Sequence, residues 1–206
     1  MPLPTLRCPL VQWDAPTADA DSAAWRGIAP AAFGDVQTGG APEQATELRL
    51  AWTGEELRVL LRAWDTHPWA TLTERDGPLW EEEVLEVFLD PVGDAQSYFE
   101  LEVNPLGTVV DLVCRRNRSG HIKDLAWDCA GLQTAVRSWP GGWTAELAIP
   151  FGSLVAEPPR AGTQWRANFC RIDRPAGRER ELTAWSPTGV RLFHVPERFG
   201  AIAFAG

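Results

Sequence analysis

Trp80-Glu-Glu-Glu-Val-Leu-Glu-Val-Phe-Leu-Asp90, a turn of Pro91-Val-Gly-Asp-Ala-Gln-Ser97, and then Tyr98-Phe-Glu-Leu-Glu-Val-Asn104 read as two strands joined by a loop. Both flanks alternate with period two. Leu85, Val87 and Leu89 share one face of the first strand, and Phe99, Leu101 and Val103 share one face of the second. With Asp90 opposite Tyr98, Leu89 meets Phe99, Val87 meets Leu101 and Leu85 meets Val103. That register sets Glu86 opposite Glu102 on the other face, with Asn104 beside them and Trp80 ahead of the strand. Facing carboxylates about 5 Å apart repel by less than 1 kcal/mol in water, but by about 3 kcal/mol at an effective dielectric of 20. Either solvent screens the pair, or the pair lines a polar cleft beside an aromatic side chain.

Working outward, the remaining chain repeats the same pattern. Residues 5–13 read as an opening strand. Pro16–Gly40 reads as a long connection with a helical turn near Ser22–Trp25, and Ala45–Trp52 and Leu57–Trp64 as strands around a Thr53-Gly-Glu-Glu56 turn. Thr108–Cys114 is β-branched and apolar, 115–130 is a polar excursion, and Pro140-Gly-Gly142 marks a hairpin between Leu132–Trp139 and Trp143–Ile149. Trp165–Ile172 and Phe199–Phe204 read as the last strands, separated by a long charged and aromatic loop over 174–197. About ten short strands with almost no amphipathic helix predict an all-β antiparallel sandwich of immunoglobulin-like or jelly-roll type. Its 206 residues fit one domain.

Charge and motifs narrow the function. A net charge of −9 argues against nucleic acid and anionic membrane as partners, because both would be repelled. The N-terminal Met1-Pro-Leu-Pro-Thr-Leu-Arg7 lacks a secretory signal, so the chain as written is expected in the cytosol. Cys8, Cys114, Cys129 and Cys170 form no Cys-x-x-Cys pair and read as buried free thiols, with a Cys114–Cys129 link open to an exported protein. His67, His121 and His194 lie far apart in sequence and outside any metal motif. No nucleophile elbow or phosphate-cradling glycine loop is present. A paired-carboxylate glycosidase finds nothing beyond the Glu pair in its favour. Glu81-Glu82-Glu83 reads as a solvated lead into the strand. Asp90 and Asp94 offer oxygen ligands for calcium at the hairpin loop, and no other cofactor is expected.

Trp80-x-x-Glu83-x-x-Glu86-Val87-Phe88-Leu89-Asp90 resembles the Trp-x-x-Asp-Ser-Val-Glu-Ile-Phe-Ile-Asp stretch of family 9 carbohydrate-binding modules. Trp185-Ser186, Phe193, Pro196 and Phe199-Gly200 are similar to a later motif of that family, and Gly142–Pro150 looks like its Gly-Tyr-x-x-Glu-x-x-Ile strand. The resemblance spans nearly the whole chain. It implies a DOMON-like β-sandwich that holds a terminal sugar between two aromatic rings and has no catalytic role. Carried over residue by residue, the rings are Trp80 and Phe193, and Glu86 accepts sugar hydroxyls. Three positions depart from the family: Phe193 stands for a Trp, Glu102 for an Arg and Val190 for an Asn-type residue. Glu102 and Asn104 would add polar contacts, with Arg75 or His194 at the rim. The expected partner is a carbohydrate or related polyol. The rivals are a protein-interaction module built on exposed Trp residues, and a haem-binding relative, whose Met ligand here could only be Met1.

Overall fold

In a computed structural model of the chain, residues 2–118, 120–175 and 177–206 are described; Met1, the residue on which the haem alternative depends, lies outside them. β1 (Thr5–Pro9) leads through a short helix, α1 (Ala23–Arg26), to β2 (Ala31–Ala32) and β3 (Gly34–Asp35). β4 (Thr46–Trp52) and β5 (Glu56–Trp64) make a hairpin, a 3-10 turn spans Leu79–Glu81, and β6 (Val84–Asp90), β7 (Ser97–Val103), β8 (Val109–Asn117) and β9 (Gly120–Asp124) follow as a meander. β10 (Gln133–Trp139) and β11 (Gly142–Pro150) form the next hairpin, α2 (Phe151–Leu154) a single turn, and β12 (Gln164–Asp173), β13 (Glu181–Ala184) and β14 (Gly200–Ala205) complete the chain.

Two sheets pack as a sandwich. The larger has the order β1-β14-β12-β6-β7-β8-β9, with β13 pairing β12 and β3. The smaller runs β10-β11-β5-β4-β2. The register read from the alternation is the one observed: Leu85 faces Val103, Glu86 faces Glu102, Val87 faces Leu101 and Leu89 faces Phe99. The inner face carries Leu85, Val87, Leu89, Leu101, Val103 and Phe169 into a core shared with Leu48, Leu50, Val59, Leu61, Trp143 and Leu147 of the other sheet. At the β10–β11 turn a Cβ on Gly142 would lie 2.1 Å from the Ala63 carbonyl oxygen, so only glycine lets the hairpin close on β5. Ser22 caps α1 by accepting from the Trp25 amide, which seats the buried Trp25 indole.

Four features depart from the sequence reading. β1 and β14 pair in parallel, and an isolated bridge joins Leu10 to Trp52 in parallel, where antiparallel pairing was expected. A strand, β9, lies within the 115–130 excursion and pairs β8. Another, β13, lies within the 174–197 loop and pairs β12 through Cys170–Ala184 to Asp173–Glu181. The acidic run ahead of β6 is solvated only at Glu81. Glu82 accepts from the Thr71 and Leu72 amides at 2.7 and 3.1 Å, and from the Thr71 hydroxyl, tying the preceding loop to the turn that carries Trp80.

Glu83 is buried against Asp65 and Asp173, with the Arg171 guanidinium between the sheets. Burial, together with the neighbouring Asp65 carboxylate, pushes its carboxyl up to about 9, so at neutral pH Glu83 is a neutral acid. The folded chain therefore holds a proton that the unfolded chain, with a value near 4.5, releases. Stability falls as pH rises between those values, at about 1.4 kcal/mol per unit for one whole proton. Glu83→Gln, neutral at every pH, should raise Tm by roughly 4–8 °C at pH 8, a gain on the order of 2 kcal/mol, and by little at pH 5. Thermal melts at the two pH values check this. An equal shift at both would mean that charge is not the cause.

Candidate functional site

The outer face of the large sheet is covered instead of solvated. Phe88 of β6, Tyr98 of β7, Val110, Leu112 and Cys114 of β8, and Cys170 and Ile172 of β12 pack under Leu79, Leu182, Phe193 and Phe199 as a second apolar cluster. Into this layer the alternation drops three carboxyl groups. Glu86 and Glu102 face each other across β6–β7, and Glu100 lies two residues before Glu102 on the same face, opposite Phe88. All three are at most 3% exposed.

Beside them a hollow of about 160 Å³ opens to solvent, walled by Trp80, Glu86, Glu100, Lys123, Phe193 and His194, with Arg180, Arg191 and Leu192 at its edge. Trp80 stands on the 3-10 turn, with its carbonyl accepting from Arg174 at 3.3 Å. Lys123 reaches from β9 to place its Nζ 4.8 Å from the Trp80 ring centroid and 3.0 Å from Glu100 Oε1. Phe193 leans on Phe88 with centroids 6.4 Å apart. His194 bonds through Nδ1 to the Tyr98 hydroxyl at 2.7 Å.

One ammonium serves three acids, and the acids divide accordingly. Burial first, then the Glu100 charge, raises Glu86 well above the usual carboxyl range. Glu102 is raised likewise by burial and by Glu86 and Glu100. Burial opposes the charge on Glu100 too. His194 and Lys123, with hydrogen bonds from Cys114 and Lys123, outweigh that and hold it low. The three carboxyl groups thus differ: Glu100 is held toward its charged form, while Glu86 and Glu102 are pushed toward the neutral acid, which can donate one hydrogen bond as well as accept others.

Of the residues singled out from sequence, Trp80, Glu86, Phe193 and His194 come together around the hollow. Glu102 lies beneath it, fully buried against Glu86. Asn104 is occupied internally: its amide donates to the Leu72 carbonyl at 2.8 Å and accepts from the Leu106 and Thr108 amides at 3.0 and 2.9 Å, clamping the β7–β8 turn. Arg75 is drawn to the acidic group Asp76, Asp111 and Asp128, and is not among the residues walling the hollow. Asp90 spends both carboxylate oxygens on its own turn, accepting from the Gly93 and Ala95 amides at 2.7 and 3.0 Å, while Asp94 accepts from Gln96. Those oxygens hold backbone amides of the hairpin loop, the place where the sequence offered oxygen ligands to calcium. Cys114 and Cys129 are separate free thiols, as are Cys8 and Cys170.

Sequence reasoning missed Glu100, Lys123 and Arg180. Glu100 was within reach, because period two puts it on the face of Glu102. Lys123 and Arg180 arrive from β9 and the segment before β13, neither of which shows an apolar alternation.

The profile of the carbohydrate family 9 binding domain-like family matches residues 17–206. The chain belongs to that family. Among solved structures, a family 9 carbohydrate-binding module from Caldicellulosiruptor kristjanssonii in complex with cellotriose superposes with a TM-score of 0.76 at 15% identity, covering 98% of this chain and 94% of that one. A putative carbohydrate-binding protein from Bacteroides uniformis gives 0.76 at 20% identity, with 97% and 98% covered. A C. kristjanssonii family 9 module in complex with glucose gives 0.70 at 17% identity, with 98% and 96% covered. No curated protein matches the chain. At these identities the structural likeness establishes the family 9 sandwich and leaves the ligand to be argued from the site.

Proposed function

We propose that the chain is a non-catalytic carbohydrate-binding module that takes the end of a sugar chain into the hollow between Trp80 and Phe193. The observation that carries this reading is the meeting of Trp80, Glu86 and Phe193 around one opening. A pyranose offers an apolar C–H face to an aromatic ring and hydroxyl groups to its edges. Glu86, pushed toward the neutral acid, can donate to one hydroxyl and accept from another, and Lys123 and the Glu100 carboxylate supply one further donor and acceptor. The related modules bound to glucose and cellotriose favour a gluco-configured ligand.

The test is a titration by calorimetry and intrinsic tryptophan fluorescence against glucose, cellobiose, cellotriose, xylobiose and an amine-bearing sugar. Saturable binding of at least one, with no hydrolysis product formed, is the expected result. A flat response across the panel would leave the family's fold with a different use for this hollow.

A further inference from the structure

Cys114, Glu100 and His194 come from two neighbouring strands and a distant loop, yet one donor atom from each lies within 4.8 Å of the others. Cys114 Sγ is 3.2 Å from Glu100 Oε2, and His194 Nε2 is 3.9 Å from Glu100 Oε1. A thiol and an imidazole therefore flank the two oxygens of a single carboxylate. In tetrahedral zinc sites, bond lengths of about 2.0–2.3 Å place ligand atoms roughly 3.3–3.7 Å apart, a spacing that Cys114 Sγ and Glu100 Oε2 already approach.

Two further observations point to a ligand here. His194 already uses Nδ1 on the Tyr98 hydroxyl, the outer hydrogen bond that orients a metal-binding imidazole and leaves Nε2 facing inward. His121 lies against it, ring centroids 5.9 Å apart, and its buried Nε2 has no hydrogen-bond partner among the described residues.

We propose that Cys114, Glu100 and His194 form a binding site for a zinc-like divalent cation, with His121 or a water in the fourth position. Sulfur, nitrogen and a single carboxylate form a donor set suited to zinc and unlike the all-oxygen shell calcium takes. Binding exchanges the Cys114 S–H bond for a metal–sulfur bond and releases one proton to solvent. The thiolate and carboxylate then neutralise the dication. Lys123, which now holds Glu100, has Glu102 and Glu86 as alternative partners, since all three acids act on its charge. Glu100 and His194 also wall the hollow proposed for sugar, so metal binding is measured here without any sugar present.

Cobalt(II) is the probe, because a cobalt–thiolate bond gives a near-ultraviolet charge-transfer band and a tetrahedral site gives intense visible absorption. The expected result is one cobalt per chain, displaced by one zinc, with one proton released. Cys114→Ser should abolish the charge-transfer band and weaken zinc binding on the order of 100-fold in calorimetry. Absence of the band in the unsubstituted protein at millimolar cobalt would overturn the proposal, as would its persistence in Cys114→Ser. If that variant does not fold, as judged by near-ultraviolet circular dichroism, His194→Gln serves instead. It should keep a thiolate band but need at least tenfold more metal, and an unchanged midpoint would again overturn the site.

Discussion

Replacing Arg171 with methionine should cost about 3–5 kcal/mol of stability, roughly 10 °C or more in Tm for a chain of this size. The side chain is 1% exposed and crosses from β12 to the smaller sheet, donating to the Trp64 carbonyl at 2.9 Å and to Asp65 Oδ2 at 2.7 Å, with Asp173 Oδ1 at 3.5 Å. Methionine fills comparable space, so what the substitution removes is charge. Asp65, Glu83 and Asp173 would be left facing one another without a cation, and a buried group stripped of its partner carries its full desolvation cost. The defect should depend on pH with a definite sign. Acid supplies protons that replace the missing positive charge, so the loss should be smaller at pH 5 than at pH 8. Urea denaturation at both values reads it. A loss below 1 kcal/mol at pH 8 would show that the buried guanidinium does not brace the sheets.

Trp80→Ala should weaken sugar binding by about 30- to 70-fold while leaving the fold in place. A pyranose face laid on an indole removes on the order of 80–100 Å² of apolar surface from water, worth about 2–2.5 kcal/mol at 25 cal/mol/Å². The fold loses less, because Trp80 is only part-buried and its contact with Lys123 is a cation–π interaction of about 0.5–1 kcal/mol at such a position. Calorimetric titration of the ligand found in the panel gives the ratio of dissociation constants, and far-ultraviolet circular dichroism confirms folding. A dissociation constant within threefold of the parent would remove Trp80, and with it the hollow, from the binding reading.

The centre of the fold was readable because one physical rule determines it. Six apolar residues alternating on two adjacent runs allow one register that buries them all, and that register forces Glu86 and Glu102 together whatever the rest of the chain does. The same rule fails where pattern is weak. β9, Gly120-His-Ile-Lys-Asp124, is held on one side by β8 and has no apolar face, and β13 is a four-residue strand after a charged run. Lys123 and the approach of His121 to His194 were hidden with them. Asn104 and Arg75 illustrate another limit. Their residue types suited a polar cleft, but the nearest unsatisfied groups were backbone amides at a turn for Asn104 and the buried Asp111 for Arg75. A side chain bonds what folding brings nearest, and composition does not reveal that.

The parallel pairing of β1 with β14 also sets how the molecule bears load. Thr5 lies beside Ala201 and Pro9 beside Ala205, so the two ends of the chain leave the pair at opposite extremities. Tension applied between them would shear the whole ladder at once, where an antiparallel terminal pair would be unzipped one bond at a time. A protein held at one end by a partner and at the other by a surface would resist being pulled open. Attachments fused to the two ends would sit in line, with the sandwich between them.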